Sequence, residues 1–168
     1  AELLVVDLSV VNQVTVTATT GASSVSAAGS NTTGIYLQNF YTGPGVGMNI
    51  SAPGTFTTFN NPSDGTPAIF RVANDPGFNM WSMSTAATLT FTAGQQAFTG
   101  SGTWNVSAQQ YADLIALGNR TGNIWFAADS IDDLPNAVVI GTYRAFVPAP
   151  GAAALLGLGG LAAARRRR

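Results

Sequence analysis

Apolar and threonine side chains alternate strictly over residues 14–19, which read Val-Thr-Val-Thr-Ala-Thr. Successive side chains of a β-strand point to opposite faces, so this pattern gives a strand one apolar and one polar face. Residues 3–11 and 35–41 are further strand candidates. Turns such as Pro53-Gly54 and Asp75-Pro76-Gly77 interrupt the chain at short intervals. The pattern therefore favours a mainly β fold of many short strands.

The same combination of short strands and turn residues continues to residue 146. A loop rich in Gly, Ala, Ser, Asn and Thr, residues 20–34, follows the first two strands. About nine or ten strands at this spacing predict one domain over residues 1–146, an antiparallel β-sandwich of the jelly-roll type. The remaining strand candidates are residues 48–51, 55–59, 68–73, 80–83, 88–92, 97–106, 123–127 and 137–146.

One helix is predicted within the β pattern, over residues 107–117. Ser107 and Gln110 have the spacing of a capping box, in which each side chain accepts a hydrogen bond from the other residue's backbone N–H. Gly118 and Asn119 end the segment. Four apolar side chains are expected to pack against the sandwich and shield a sheet edge: Tyr111, Leu114, Ile115 and Leu117.

The residue types that carry most enzyme chemistry are missing from this chain. Cys, His and Lys do not occur among its 168 residues, which excludes disulfides, thiolate and imidazole metal ligands and a lysine nucleophile. A hydrolase would have to rely on carboxylates, but Glu2 at the chain end is the only glutamate. We therefore expect a non-enzymatic protein that needs no cofactor.

The charge distribution separates the last four residues from the rest. Seven basic residues oppose eight acids, and the last four residues of the chain are all basic. The rest of the chain carries three arginines and a net charge of −5. A net negative charge with so few basic residues does not provide the basic surface that binds a phosphate backbone. We therefore do not expect nucleic acid as a partner.

Three tryptophans are the candidates for binding a ligand by stacking: Trp81, Trp104 and Trp125. A flat indole covers the apolar face of a sugar ring, and a sheet can present several rings in one plane. Core filling is the competing interpretation, because Trp104 and Trp125 lie among strand-forming residues. The solvent exposure of the indoles decides between a glycan-binding platform and a core.

Asp129, Asp132 and Asp133 form the one local cluster of acids. Oxygen ligands at this spacing suit a Ca²⁺ ion held in a loop. The competing interpretation is a solvated turn before Pro135, since no glycine-containing calcium-loop pattern surrounds these residues. Ca²⁺ is thus the one metal ion for which the sequence offers candidate ligands.

Residues 147–168 differ in character from the body. The segment opens with Val147, Pro148, Ala149, Pro150 and Gly151, continues with an apolar stretch over 152–164, and ends with Arg165, Arg166, Arg167 and Arg168. Residues 151–164 would span about 21 Å as a helix, short of the ~30 Å hydrocarbon core, and their apolar character on every side also makes a poor core helix. The leucines expected to hold the stretch in a membrane are Leu155, Leu156, Leu158 and Leu161.

This three-part order resembles the PEP-CTERM sorting signal of exported bacterial proteins, which has a Pro-Glu-Pro-like motif, a hydrophobic helix and a terminal arginine cluster. Ala149 stands where the name-giving motif has glutamate, so the motif here is a variant. The resemblance implies export through the general secretory route, transient anchoring in the inner membrane with the arginines inside, and cleavage near residues 148–150 by an exosortase. The start at Ala1-Glu2 without methionine is expected either after removal of a leader or after simple trimming.

Two functions from different classes are compatible with these features. The first is a non-enzymatic exported protein of the cell surface or extracellular matrix, which self-associates or lies amid exopolysaccharide. The second is a carbohydrate-binding module of the cell surface that uses the tryptophans and a Ca²⁺ ion at the Asp129, Asp132 and Asp133 loop.

Overall fold

The computed structural model describes residues 1–58, 60, 66–83 and 88–147. These residues form thirteen β-strands, one α-helix and one 3₁₀ helix, so the mainly β prediction is confirmed. The predicted C-terminal helix over 152–164 lies outside the described residues. The strands are β1 (Glu2–Asp7), β2 (Gln13–Ala18), β3 (Ala27–Ser30), β4 (Ile35–Leu37), β5 (Met48–Ile50), β6 (Thr57–Thr58), β7 (Ala68–Arg71), β8 (Phe78–Trp81), β9 (Thr88–Phe91), β10 (Phe98–Thr99), β11 (Ser101–Asn105), β12 (Arg120–Phe126) and β13 (Val138–Phe146).

Nine of these strands form one mixed sheet in the order β11-β2-β1-β13-β12-β4-β8-β7-β5. Its two edges approach each other, because Gly54 beyond β5 bridges Gly102 of β11 and the Thr55 N–H donates to the Ser101 carbonyl at 2.9 Å. The sheet is therefore nearly closed, and a sandwich or jelly roll is not confirmed. The pairs β10-β6 and β3-β9 form two small separate sheets.

One strand pair departs from the antiparallel prediction. β1 and β13 run parallel, with Val5 opposite Arg144 and Val6 opposite Ala145. Every other strand pair among the described residues is antiparallel. The first and last strands thus lie side by side in the middle of the sheet. A parallel pair requires a long connection between its strands, and here that connection is the rest of the body.

Alternation along the strands sorts side chains between the core and the solvent. On β2, Val14 and Val16 are fully buried, whereas the intervening Thr15 is half-buried and Thr17 is exposed. Trp104 of β11 lies opposite Val14 and is also fully buried. The core combines buried apolar side chains of the nine-stranded sheet with others from β9, β10, α1 and the connecting segments, and this burial is expected to drive folding.

The predicted helix is confirmed as α1 (Ala108–Ile115). Its capping box is complete, since the Gln110 N–H donates to Ser107 Oγ at 3.2 Å and the Ser107 N–H donates to Gln110 Oε1 at 2.9 Å. Tyr111 and Leu114 are buried as expected. Ile115 is half-buried and packs against the core, whereas Leu117 is 38% exposed, so the expected burial of Leu117 is wrong.

Two segments expected as loops have regular structure. β3 (Ala27–Ser30) lies in the predicted loop and pairs with β9. The small side chains of β3 have little strand propensity, so its extended conformation depends on this pairing. A 3₁₀ helix (Ile131–Asn136) occupies the segment that was interpreted as a turn before Pro135. In both places, pairing or packing with distant residues decides the local conformation.

Arg71, the last residue of β7, is buried next to Asp113 of α1. It is 3% exposed, its guanidinium lies 3.5 Å from the centroid of the Tyr41 ring, and its Nη1 atom is 3.6 Å from the Asp113 carboxylate. Its Nε donates to the Asp75 carbonyl at 2.9 Å, and its Nη1 donates to the Val46 carbonyl at 3.3 Å. Protein groups on all sides therefore replace the hydration of this cation.

Arg120 on β12 is also buried, and we call Arg71 and Arg120 the buried arginine pair. Arg120 is 8% exposed, lies 3.9 Å from the centroid of the Phe40 ring, and donates to the carbonyls of Gly118 and Leu114 at 2.6 Å each. Burial lowers the pKa of Arg120 to about 10. On the surface, Arg144 pairs with Glu2 at 3.1 Å. All three arginines in the described part of the chain thus have partners within the protein.

Candidate ligand-binding cleft

A shallow cleft of about 220 Å³ lies on the outer face of the sheet near β5. It combines two aromatic rings with amide, hydroxyl and carboxylate groups, and none of its lining residues is basic. Clefts of this kind bind small ligands through an apolar surface and a few polar groups that fix orientation. The lining residues are Thr32, Asn49, Phe70, Asn79, Trp81 and Asp129.

The strand register brings four of these residues together. Asn49 of β5 lies opposite Phe70 of β7, and Phe70 lies opposite Asn79 of β8. Trp81 follows Asn79 by two positions and so points to the same face. The neighbours of Phe70 along β7 are buried on the other face. Three adjacent strands therefore present one row of side chains outward.

Asn79 fixes the floor of the cleft. Its side chain is 1% exposed, and its Nδ2 amide lies 2.6 Å from the Thr33 carbonyl oxygen and 3.0 Å from those of Ile35 and Ala128. These hydrogen bonds tie β8 to β4 and to the segment that follows β12. Because that segment is held at Ala128, the adjacent carboxylate of Asp129 is placed at the rim of the cleft.

Asp75 anchors the same rim to the interior. One carboxylate oxygen accepts hydrogen bonds from the Tyr36 hydroxyl and from the Gly77 N–H, the latter at 2.8 Å. The other oxygen accepts the Ile131 N–H at 3.1 Å, at the start of the 3₁₀ helix. Asp75 is 8% exposed, so its hydrogen bonds are shielded from water. The position of the rim therefore depends on a buried carboxylate.

Asp129 gives the cleft a negative charge. Its side chain is exposed at the rim, and its N–H donates to Asp133 Oδ2 at 2.9 Å. Loss of solvent around the carboxyl raises the pKa of Asp129 above its usual range, and the carboxylates of Asp133 and Asp75 raise it further, against a lowering by a hydrogen bond with Ser130. Loss of solvent is the largest of these causes, and the neighbouring carboxylates add to it.

The acids of the predicted Ca²⁺ loop do not converge on one point. Asp132 and Asp133 lie in the first turn of the 3₁₀ helix, and the Asp133 carboxylate accepts the backbone N–H of Asp129. Across residues 1–58, 60, 66–83 and 88–147, no three acidic side chains are grouped so that they could hold a metal ion. The described residues therefore provide no three-aspartate Ca²⁺ site.

The structure separates the three tryptophans that the sequence grouped as a glycan platform. Trp104 is fully buried and its indole N–H donates to the Pro67 carbonyl at 3.0 Å, so it has no face to offer a ligand. Trp125 is half-buried on β12, is not among the residues that line the cleft, and donates its indole N–H to Gln38 Oε1 at 2.8 Å. Trp81 is the one tryptophan that lines the cleft. The three-ring platform is therefore wrong, because Trp104 faces the core.

The C-terminal end of the body adjoins a second depression, of about 360 Å³, lined in part by Asn119, Arg120 and Phe146. Val147, the first residue of the predicted sorting motif, donates its N–H to Asn119 Oδ1 at 2.8 Å. The rest of that motif, Pro148 to Gly151, and the apolar stretch and arginines after it lie outside the described residues. Within the described part of the chain, no helix has the length and apolar character needed to cross a membrane.

Four residues of the cleft were not identified from the sequence: Thr32, Asn49, Phe70 and Asn79. Each belongs to a different segment, and only the pairing of β4, β5, β7 and β8 brings the segments together. The sequence of β7 carries no signal for this placement, because the aromatic Phe70 lies on the outer face while the charged Arg71 beside it is buried.

No protein-family model, curated protein or solved structure matches this chain.

Proposed function

We propose that this chain is a non-enzymatic exported protein of the bacterial cell surface or extracellular matrix. In this proposal its sorting signal is the segment 147–168, which resembles a PEP-CTERM signal. In this proposal the leucines and arginines of that segment hold the chain briefly in the inner membrane, and an exosortase then cuts near residues 148–150. The released or attached body acts at the surface through self-association or contact with exopolysaccharide.

The observation that carries this proposal is the position of the core residues along the described part of the chain. β13 ends at Phe146, and every buried core position among the described residues lies between Leu3 and Ala145. Val147 is only partly buried against the edge of this core. A cut near residues 148–150 therefore removes none of these core side chains, as a removable sorting segment requires.

Mass spectrometry of the protein recovered from its own cell surface tests the proposal. We expect a mature chain that ends near residues 148–150, and the full-length chain in a host strain whose exosortase has been deleted. A surface form that still carries Arg168 would overturn the proposed processing. In a second measurement, truncation after Val147 should leave the thermal unfolding of the body cooperative, because the core residues are all retained.

A second candidate function is a carbohydrate-binding module. It is favoured by the placement of Trp81 and Phe70 beside amide, hydroxyl and carboxylate groups in one cleft. It is compatible with the first proposal, since a surface protein amid exopolysaccharide has such a ligand at high local concentration. Retarded migration of the protein in native gels that contain a soluble polysaccharide tests it, and unchanged migration with a broad panel of polysaccharides would exclude it.

A further inference from the structure

We infer that the cleft takes an uncharged sugar unit and rejects sugars that carry a carboxylate. This inference rests on the proposed carbohydrate-binding function and adds the class of ligand. Three properties of the cleft support it: its aromatic surface, its hydrogen-bonding groups and its charge.

The aromatic surface of the cleft suits the apolar face of a pyranose ring. Trp81 and Phe70 are each half-buried, so both rings are supported by the protein and keep one part accessible. They lie on neighbouring strands on the same face, with Ala68 opposite Trp81 and Phe70 two positions beyond Ala68. A supported ring loses little conformational freedom when a ligand stacks on it, which favours binding.

The polar groups around these rings suit hydroxyls. Asn49, Thr32 and Asp129 are exposed at the rim, where an amide and a hydroxyl both donate and accept and a carboxylate accepts. Hydrogen bonds from sugar hydroxyls to a carboxylate are the stronger, charge-assisted kind. Asn79 differs from these residues, because its amide nitrogen is committed to backbone carbonyls and serves to hold the site together.

The charge of the cleft opposes an anionic ligand. The rim carries Asp129, whose surroundings include the carboxylates of Asp133 and Asp75. In the described part of the chain, the three arginines are engaged elsewhere, two in the buried arginine pair and Arg144 with Glu2. A uronic acid would therefore place its carboxylate near like charges with no cation to compensate, which costs binding free energy.

Native gel retardation with matched pairs of polysaccharides tests this inference on the full chain. Each pair differs in a carboxylate at C6: carboxyl-reduced polygalacturonate against polygalacturonate, and mannan against polymannuronate. We expect retardation by at least one neutral polymer and none by its acidic counterpart. Trp81→Ala should weaken binding at least about tenfold, and Trp125→Ala should not, because Trp125 is a half-buried tryptophan like Trp81 but does not line the cleft.

A second variant checks the charge argument. Asp129→Asn keeps the size of the side chain and removes its charge, so the acidic counterpart of the bound polymer should become detectable as a ligand. Asn49→Ala, at an exposed position on β5, provides a second test of the cleft if Trp81→Ala folds poorly.

The possible failures are distinguishable. Retardation by an acidic polymer that depends on Trp81 would overturn the charge selection and leave the carbohydrate-binding function intact. Retardation that survives both Trp81→Ala and Asn49→Ala would move the site away from the cleft and overturn the inference. No retardation by any polymer would overturn the carbohydrate-binding function together with the inference.

Discussion

The buried arginine pair and the outer cleft contain the same kinds of groups, aromatic rings beside charged and polar side chains, in opposite surroundings. Arg71 is 3% exposed and meets a ring, a carboxylate and backbone carbonyls of the protein itself. In the cleft, Trp81 is partly accessible and Asp129 is an exposed residue. The comparison teaches that exposure, rather than residue type, separates groups that stabilise the fold from groups available to a ligand.

Replacing two tryptophans gives the largest expected contrast between inside and outside. Trp104→Ala removes a fully buried indole and leaves the Pro67 carbonyl without its donor, so the free energy of unfolding should fall by about 3–5 kcal/mol. Trp81→Ala shortens a half-buried side chain and should cost about 1 kcal/mol. Urea unfolding followed by circular dichroism measures both. Equal losses would contradict the surface placement of Trp81.

Replacing arginines gives the next contrast. Arg71→Met removes the partner of Asp113 and the donor to the Asp75 and Val46 carbonyls, so unfolding should become easier by about 3 kcal/mol, the lower end for a broken buried pair. Arg144→Met breaks an exposed pair with Glu2 and should cost at most about 1 kcal/mol. The same urea titrations measure both variants. A large effect at Arg144 would show that surface charge matters more than burial.

Asp75→Asn tests the connection between the interior and the cleft. The carboxylate accepts from Tyr36, Gly77 and Ile131, whereas an amide that keeps two of these hydrogen bonds turns its own N–H groups toward the third donor. We expect a loss of about 2 kcal/mol in the free energy of unfolding. Hydrogen exchange of the Ile131 amide should accelerate more than that of amides on β2. Uniform acceleration across the sheet would instead indicate a global effect.

The smallest expected effect is that of Asp129→Asn on stability. The pKa of Asp129 is raised in the folded state, so the folded protein binds the proton more tightly than the unfolded chain does. Ionisation of Asp129 therefore lowers stability as pH rises through the raised pKa, and the cost disappears below the usual aspartate pKa of about 3.9. The variant should have a slightly higher Tm than the parent at neutral pH and the same Tm near pH 3. A lower Tm at neutral pH would contradict this sign.

The sequence predicts the local features of this fold and misses the distant ones. Alternation on β2 and the capping box at Ser107 are properties of adjacent residues, and both predictions are confirmed. The parallel pairing of β1 with β13 joins residues more than a hundred positions apart. The local periodicity of a sequence contains no information about such a pairing. The cleft is similar, because Trp81 is identifiable as an aromatic candidate whereas its partners are selected only by strand register. The burial of Arg71 was not anticipated, since charged residues are ordinarily expected on the surface.

The position of β13 between β1 and β12 has a consequence for the order in which the body is completed. When the chain emerges from a ribosome or a translocation pore with its N-terminus first, β1 has only β2 beside it until the last strand has passed through. The centre of the sheet is thus finished by the final residues of the body, and the many distant contacts imply slow folding. A chain interrupted before Val138 lacks a middle strand and not an edge, so we expect incomplete copies to stay open and to be cut by proteases.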